Sequence, residues 1–467
     1  MESKGIVKIV FLALVLDLLA FTIPLPLFPR LTAWYLHLDS SPDSLLSKLL
    51  LISRKWRSTL LSFSSSSSEQ GLGVGAGKKE WDVVLLGGAM GSLFSFCQCL
   101  ISPWLGRLSD KHGRKRVLLA TMMGNILSAL IWIQSTSFAS FLLSRLVGGL
   151  SEGNVQLSTA IISDVTTSST RSRSLALVGI AFSICFTLGP SLGAYFASQP
   201  LPLTSPSSEN RFNIYALPAT ISLVLLLVET LYLAAKLPET KGWKKAQDDT
   251  SVAGKDKKED QVTLLAEERS RKLNVVGRLH GLFLLFFSGA EFTLTFLTYD
   301  LFQASNAQNG RLLSYIGILS ALLQARHVRP SLARLGELRV ASRGILSCVL
   351  ALSLLSILPL SPILSSRRVS TAVLYASATC LSYTSATVVT GLTASAASLV
   401  NEQERGKALG GFRSKGQLGR AVGPLLASSI YWVNGPTVTY ASLAVCLVGV
   451  YALARAQVDE KKKEKMT

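Results

Sequence analysis

The chain is 467 residues long, 49% hydrophobic and only 16% charged, with a formal net charge of +19. An average soluble domain carries roughly 25% charged residues, so this composition excludes an ordinary soluble enzyme or binding module. In a soluble protein the cation excess would point to nucleic acid. Here Lys and Arg gather in short loops between apolar runs, the signature of a membrane protein with positive loops on one side, and nucleic acid is set aside as a partner.

Twelve apolar runs follow one another, over 6–27, 83–105, 117–134, 138–161, 174–197, 213–235, 279–300, 311–328, 344–364, 370–394, 408–431 and 437–456. Their lengths match the roughly 20 residues a helix needs to cross a bilayer. In lipid the backbone must satisfy its own hydrogen bonds, so each is read as a helix. The expected fold is an all-α integral membrane protein with twelve transmembrane helices in two six-helix bundles. Residues 1–235 form the first bundle, 236–278 a solvated linker, 279–456 the second bundle and 457–467 a basic tail. The long loop 28–82 carries Ser64 to Ser68 and a glycine-rich stretch at 71–77, and reads as mostly disordered. The first run lacks a small-residue cleavage site, which makes it a retained helix and not a signal peptide.

Cations set the orientation. Arg107, Lys111, Arg114, Lys115 and Arg116, then Arg171 and Arg173, then Arg329, Arg334, Arg339 and Arg343, then Arg405 and Lys407 occupy alternate loops. The loops between them hold little beyond Arg211, Arg367 and Arg368. The first group is expected in the cytoplasm together with both termini and the linker, in the plasma membrane or an endomembrane such as the vacuole. Loop 28–82 then lies outside or in a lumen.

Cys97, Cys99, Cys185, Cys348, Cys380 and Cys446 all fall inside apolar runs without metal-ligand spacing, as fillers of helix packing. His37, His112, His280 and His327 are scattered over loops and span ends. No nucleophile elbow, zinc-protease or phosphate-loop motif occurs. Neither an enzyme nor a cofactor or metal is expected.

The halves repeat. At an offset of 234, Arg171 meets Arg405, Leu175 meets Leu409, and Gly189-Pro190 meets Gly423-Pro424. At an offset of 274, Asp17 and Phe28 meet Glu291 and Phe302. A duplicated six-helix unit places a transporter's substrate site between bundles at mid-membrane.

The run Gly106-Arg107-Leu108-Ser109-Asp110-Lys111-His112-Gly113-Arg114-Lys115-Arg116 resembles the G-x-L-x-D-x-x-G-R-[KR] element of the major facilitator superfamily. There it joins the second and third helices on the cytoplasmic side. Asp110 is positioned to face the positive N-terminal end of a helix in the other bundle, the glycines permit close approach, and Arg114 can pair with Asp164. The resemblance implies a gate built from Gly106, Asp110, Gly113, Arg114 and Asp164 that holds one access state. The alternative is a loop that only sets topology. The matching second-half loop, Arg329 to Arg343, lacks the pattern, so one latch is expected. Gly189, Pro190 and Gly193, with Gly179 before them, resemble the fifth-helix element of drug and proton antiporters. That resemblance implies a hinge-like contact with the eighth helix, repeated at Gly423 and Pro424.

Ionisable residues inside membrane-length runs are costly and default to functional hypotheses. Asp17, Arg145, Glu152 and Glu291 lie on spans one, four and seven, which by resemblance line the central cavity. Arg420 lies deep in span eleven, and arginine suits carboxylate or phosphate recognition. Arg413 and Lys415 are expected to snorkel to the surface, and Glu229 to be peripheral. The blocks around Asp17, Arg145–Glu152, Gly189-Pro190 and Glu291 are similar to a eukaryotic drug and organic-anion facilitator branch of the superfamily. Together these features imply a proton-linked exporter or exchanger of small organic solutes, amphipathic organic anions first and drug-like cations or neutral compounds second. A transporter-shaped sensor or scaffold is the other reading. Buried Asp17, Glu152 and Glu291 argue against it, and transport in liposomes separates the two.

Overall fold

The computed structural model describes residues 2–24, 27, 31, 34–35, 38, 43–62, 78–197, 213, 215–243, 259–400 and 404–463. Among these residues all regular structure is helical. In chain order the helices are α1 (Ser3–Thr22), α2 (Leu45–Ser62), α3 (Lys78–His112), α4 (Arg114–Ile133), α5 (Phe138–Ser151), α6 (Asn154–Val165), α7 (Ser168–Ala197) and α8 (Ala216–Lys236). The second half adds α9 (Glu259–Phe302), α10 (Asn306–Leu323), α11 (Arg329–Leu335), α12 (Glu337–Ile357), α13 (Ser361–Leu364), α14 (Arg367–Leu399) and α15 (Arg405–Lys463). Eight helical segments among the described residues are long and apolar enough to cross a membrane.

By element order, six passes come from α1, α3, α4, α5–α6, α7 and α8, and six from α9, α10, α12, α14 and the two parts of α15. α15 holds two, divided where Gly435 adopts φ 77° and ψ 177° beside Pro436, a positive φ that glycine accepts readily. Span four breaks into α5 and α6. Glu152 leaves the helical region at φ −75° and ψ 97°, and Gly153 precedes the first turn of α6. A continuous run over 138–161 was the expectation, and apolar periodicity cannot signal such a break. Broken helices at membrane depth occur where protein or a polar cavity satisfies the freed backbone. Span eight passes through a π-turn, Gln324–Val328, before α11.

The outward surface is apolar: Leu231 and Val445 are each 70% exposed, while Asp17, Arg114, Asp164 and Arg405 are buried. Such an inversion suits a molecule bathed in lipid, where the costly groups face inward.

Part of loop 28–82 is ordered, against expectation. α2 buries Leu46 and Leu50 and reaches the second bundle through Trp56, whose Nε1 donates to Ser429 Oγ at 3.4 Å. Tyr35 inserts between Phe138 and Phe141, and its hydroxyl donates to the Ser135 carbonyl at 3.0 Å and accepts from Asn213 Nδ2 at 2.6 Å. Burial pushes this hydroxyl up to about 12, so it remains a neutral donor. The serine run at 64–68 lies outside the described residues, as does His37. Within the linker, residues 259–278 are helical and continuous with span seven, since α9 begins at Glu259.

Candidate functional site

The α3–α4 turn is held from three sides. Gly113 has φ 101°, and a side chain there would strike Glu239. That carboxylate accepts the amides of Arg114 at 2.7 Å and Lys115 at 3.2 Å, satisfying donors left open at the start of α4. Arg114 is thereby fixed under 2% exposed. Its Nη1 donates to Asp110 Oδ1 at 2.6 Å and to Ser109 Oγ at 2.6 Å, and its Nε to Asp164 Oδ2 at 3.0 Å.

The same carboxylates reach across the bundles. Asp110 accepts the amides of Gly406 at 2.8 Å and Lys407 at 2.7 Å, capping α15 where the helix dipole favours an anion. Arg405 Nη1 donates to Asp164 Oδ1 at 2.5 Å. Gly106 lies against the Gly406 carbonyl and Gly410 against that of Ser102, while Cys99 Sγ sits 3.4 Å from Ser414 Oγ. Small residues let the two backbones touch. Gly106, Asp110, Gly113, Arg114 and Asp164 thus stand in one place. Arg405, legible in the sequence only as a repeat marker, completes the tie.

A second tie was not expected. Gly336 (φ 87°) precedes α12 as Gly113 precedes α4. The following Glu337 accepts Ser172 Oγ at 2.8 Å, and Arg171 Nη1 donates to the Ala397 carbonyl at 3.3 Å. No sequence motif marks it, because a glutamate occupies the place of Arg114 and one of its partners is a serine hydroxyl. The repeat match of Arg171 with Arg405 was the available signal.

Gly189 and Gly193 pack on Thr22 and Ile23 of span one, and Gly423 packs on Leu285 and Ser288 of span seven. These glycines serve helix contacts within each bundle, while Pro190 and Pro424 lie inside α7 and α15. The expected contact with span eight is made elsewhere, by Gly179 against Gln324, Ser183 with Ser320 at 3.2 Å, and Thr187 against Gly317.

Asp17, Glu152 and Arg145 line one cavity of about 50 Å³ with Asn125, Ser128 and Ser222. Every lining residue belongs to the first bundle. About 10–15 Å³ of such space is enough for one water, so the cavity has room for a few. The helix break forms the cavity wall: Asn125 Nδ2 donates to Glu152 Oε2 at 3.3 Å, and Asn154 Nδ2 to Asp17 Oδ1 at 2.5 Å. Arg145 lies over the rings of Trp132 and Phe141, 5.5 Å from each centroid, within the cation–π range.

Glu291 and Arg420 stand on second-bundle helices and are not among the residues lining this first-bundle cavity; Glu291 is exposed on α9. Two expectations are corrected here, for Arg413 and for Glu229. Arg413 does not snorkel. It stands within electrostatic reach of Glu152, then of Arg420 and Asp17, across the bundle boundary. Lys415 alone turns to the terminal face, its Nζ donating to Asn274 Oδ1 at 2.9 Å. Glu229 is 1% exposed and interacts with Asp17 and Glu152, so it is central and not peripheral. His280, at the start of span seven, is buried and stacks on Phe412 with centroids 4.3 Å apart. Among the described residues no group of three His, Cys, Asp or Glu side chains is arranged to hold a metal.

A chain that crosses the membrane in two repeated bundles, with its charges turned inward onto their boundary, is built as a secondary transporter. It belongs to the Major Facilitator Superfamily, matching over residues 10–365 and 328–466; members of this family are transporters and not enzymes. The human major facilitator superfamily domain-containing protein 10 is 35% identical over 93% of this chain and 89% of its own length. The mouse counterpart is 33% identical over 94% and 90%. The crystal structure of the human organic anion transporter MFSD10 (TETRAN) superposes with a TM-score of 0.77 at 32% identity, covering 97% of this chain and 100% of that one. A class H tetracycline resistance protein from Pasteurella multocida matches a shorter stretch, 33% identical over 23% of this chain.

Proposed function

We propose that the protein exchanges amphipathic organic anions against protons across the membrane that houses it. What supports this reading is Arg413, a second-bundle cation within electrostatic reach of Glu152 and Asp17 of the first bundle. Arginine compensates buried carboxylates only while the bundles hold it there. When the bundles rock, the cation withdraws and the carboxylates must take up protons or rehydrate. Protonation and access are thereby linked. Arg420 and Glu291, on second-bundle helices, lie on the side expected to receive solute, and Arg420 suits a carboxylate or sulfonate group. The similarity to a solved organic anion transporter over nearly the whole chain favours anions over cations.

In this reading the ties at Asp110–Arg114–Asp164–Arg405 and at Glu337 form a shut gate on the face that carries both termini. The cation-rich loops support a cytoplasmic position for this face. The test is purified protein in liposomes with an imposed pH gradient, assayed with a panel of labelled aromatic carboxylates and sulfonates. Accumulation that follows the gradient and collapses with a protonophore is expected. Accumulation indifferent to pH across the panel overturns proton coupling, and absence of any movement favours a sensor.

A further inference from the structure

The cavity at Asp17 and Glu152 has a neighbour that neither the family motifs nor the charge pairs use. Glu229 lies in the middle of α8, seven residues beyond Ser222 and three beyond Leu226, and these two line the cavity wall. Ser222 Oγ donates to the Ala20 carbonyl at 3.0 Å, which fixes the register of antiparallel α8 and α1. Helical rise then puts Glu229 about one turn from Asp17, on the terminal side. Its side chain is buried on the same face as Ser222 and Leu226, and Oε2 has no hydrogen-bond partner.

The charges around it are few. From α1 it meets Asp17, and from the α5–α6 break Glu152. α4 carries no charge between Arg116 and Ile133; the nearest, Lys115, is committed to the Ala234 carbonyl at 2.8 Å. α7 adds Cys185 beside Asp17. Arg413 reaches Asp17 and Glu152, but it is not among the charges acting on Glu229. A buried carboxylate with an unpartnered oxygen, two acidic neighbours and no cation acting on it among the described residues cannot remain ionised without a penalty of several kcal/mol. A neutral acid supplies a donor and removes that penalty.

We propose that Glu229 is a third proton-binding carboxylate of the first bundle, so that Asp17, Glu152 and Glu229 together bind more than one proton. Glu229 holds its proton while Arg413 compensates the other two. The step is a proton entering from cavity water and forming one O–H bond on a carboxylate oxygen; nothing is oxidised or reduced. This inference deepens the proton-coupled reading and rests on it.

The test needs no identified solute. Infrared difference spectra of the full chain in liposomes, titrated with pH in H2O and D2O, report each protonated carboxyl through its C=O stretch. At neutral pH the wild type should show a buried carboxyl band that Glu229→Gln removes and Glu291→Gln leaves. In Glu229→Gln the acid-induced band of Asp17 and Glu152 should also titrate at a different pH. Glu229→Asp, which keeps an acid on a shorter arm, should shift the band; it gives the reading if Gln is not tolerated. A neutral-pH band unchanged by both Glu229 variants overturns the assignment. So does a band abolished by sodium chloride but not choline chloride at constant pH, since that marks a cation site. If Asp17→Asn and Glu152→Gln lose gradient-driven accumulation while the Glu229 variants leave the spectra unaltered, only this inference falls. If those two variants leave accumulation intact, the coupling reading falls first.

Discussion

Asp110 of the first bundle caps the first turn of α15 in the second, taking the amide of Gly406 at 2.8 Å and that of Lys407 at 2.7 Å. This is a bond between a side chain and a helix end, and only secondarily an ion pair. Its strength therefore depends on where α15 begins, which is what a rocking bundle changes.

Replacing Asp110 by Asn keeps one acceptor and loses the charge, while Ala loses both. A missing cap costs about 0.5–2 kcal/mol, which is about 2- to 30-fold in the ratio of shut to open states. Asp110→Ala should thus impair transport more than Asp110→Asn, with Arg114→Ala close to it because Asp164 then loses its 3.0 Å partner. Labelling of cysteines introduced along the inner faces of α3 and α15 should rise in that order. Equal labelling in all variants would reduce the loop to a topology signal.

Cys99 and Ser414 offer a way to lock the gate. With Sγ and Oγ only 3.4 Å apart, Ser414→Cys should cross-link to native Cys99 on mild oxidation, as disulfide geometry requires close Cβ atoms. Exchange should stop and return on reduction. A cross-linked transporter that still exchanges solute would show that the α3–α15 contact need not open.

Glu337 tests the second tie. Glu337→Gln retains a carbonyl acceptor for Ser172 and loses the charge; Glu337→Ala removes both. A boundary hydrogen bond of this kind is worth about 0.5–1.5 kcal/mol, so Ala alone should change exchange rates by about 2- to 10-fold. Combined with Asp110→Ala it should give more than either change alone. Additive behaviour would mean the two ties open independently.

Arg413 separates charge compensation from packing. Arg413→Lys keeps a cation near Glu152 and should retain some gradient-driven accumulation, whereas Arg413→Ala should abolish it. Arg145→Ala should instead lower protein stability by about 1–2 kcal/mol through its lost stacking on Trp132 and Phe141. Accumulation by Arg413→Ala equal to wild type would remove the observation on which the mechanism stands.

Tyr35→Phe removes a hydroxyl that bonds both Ser135 and Asn213 while keeping the ring between Phe138 and Phe141. The loss should be about 1–3 kcal/mol because Asn213 is left partly unsatisfied. A lower melting temperature in detergent with ordinary orientation checks it.

Much of this architecture is local and therefore legible along the chain. Twelve runs of membrane length, the doubled Arg171/Arg405 and Gly-Pro positions, and the glycine-bracketed Asp110–Arg114 loop each follow from spacing that a membrane imposes on a backbone. What stayed hidden depends on which side of a helix meets which neighbour. Arg413 reads as a snorkelling cation until α15 is rotated against the first bundle. Glu229 reads as peripheral until Ser222 fixes α8 on α1, and the lining of the Asp17–Glu152 cavity by Asn125, Ser128 and Ser222 shows only once the first-bundle helices are packed. Glu152 stands at a helix break where Asn125 reaches its carboxylate from α4 and Asn154, just past the break, reaches Asp17 on α1. Hydrophobicity determines that a segment crosses the membrane. Rotation and depth of one helix against the next are set by close packing of side chains far apart in sequence, and only the tertiary structure decides them.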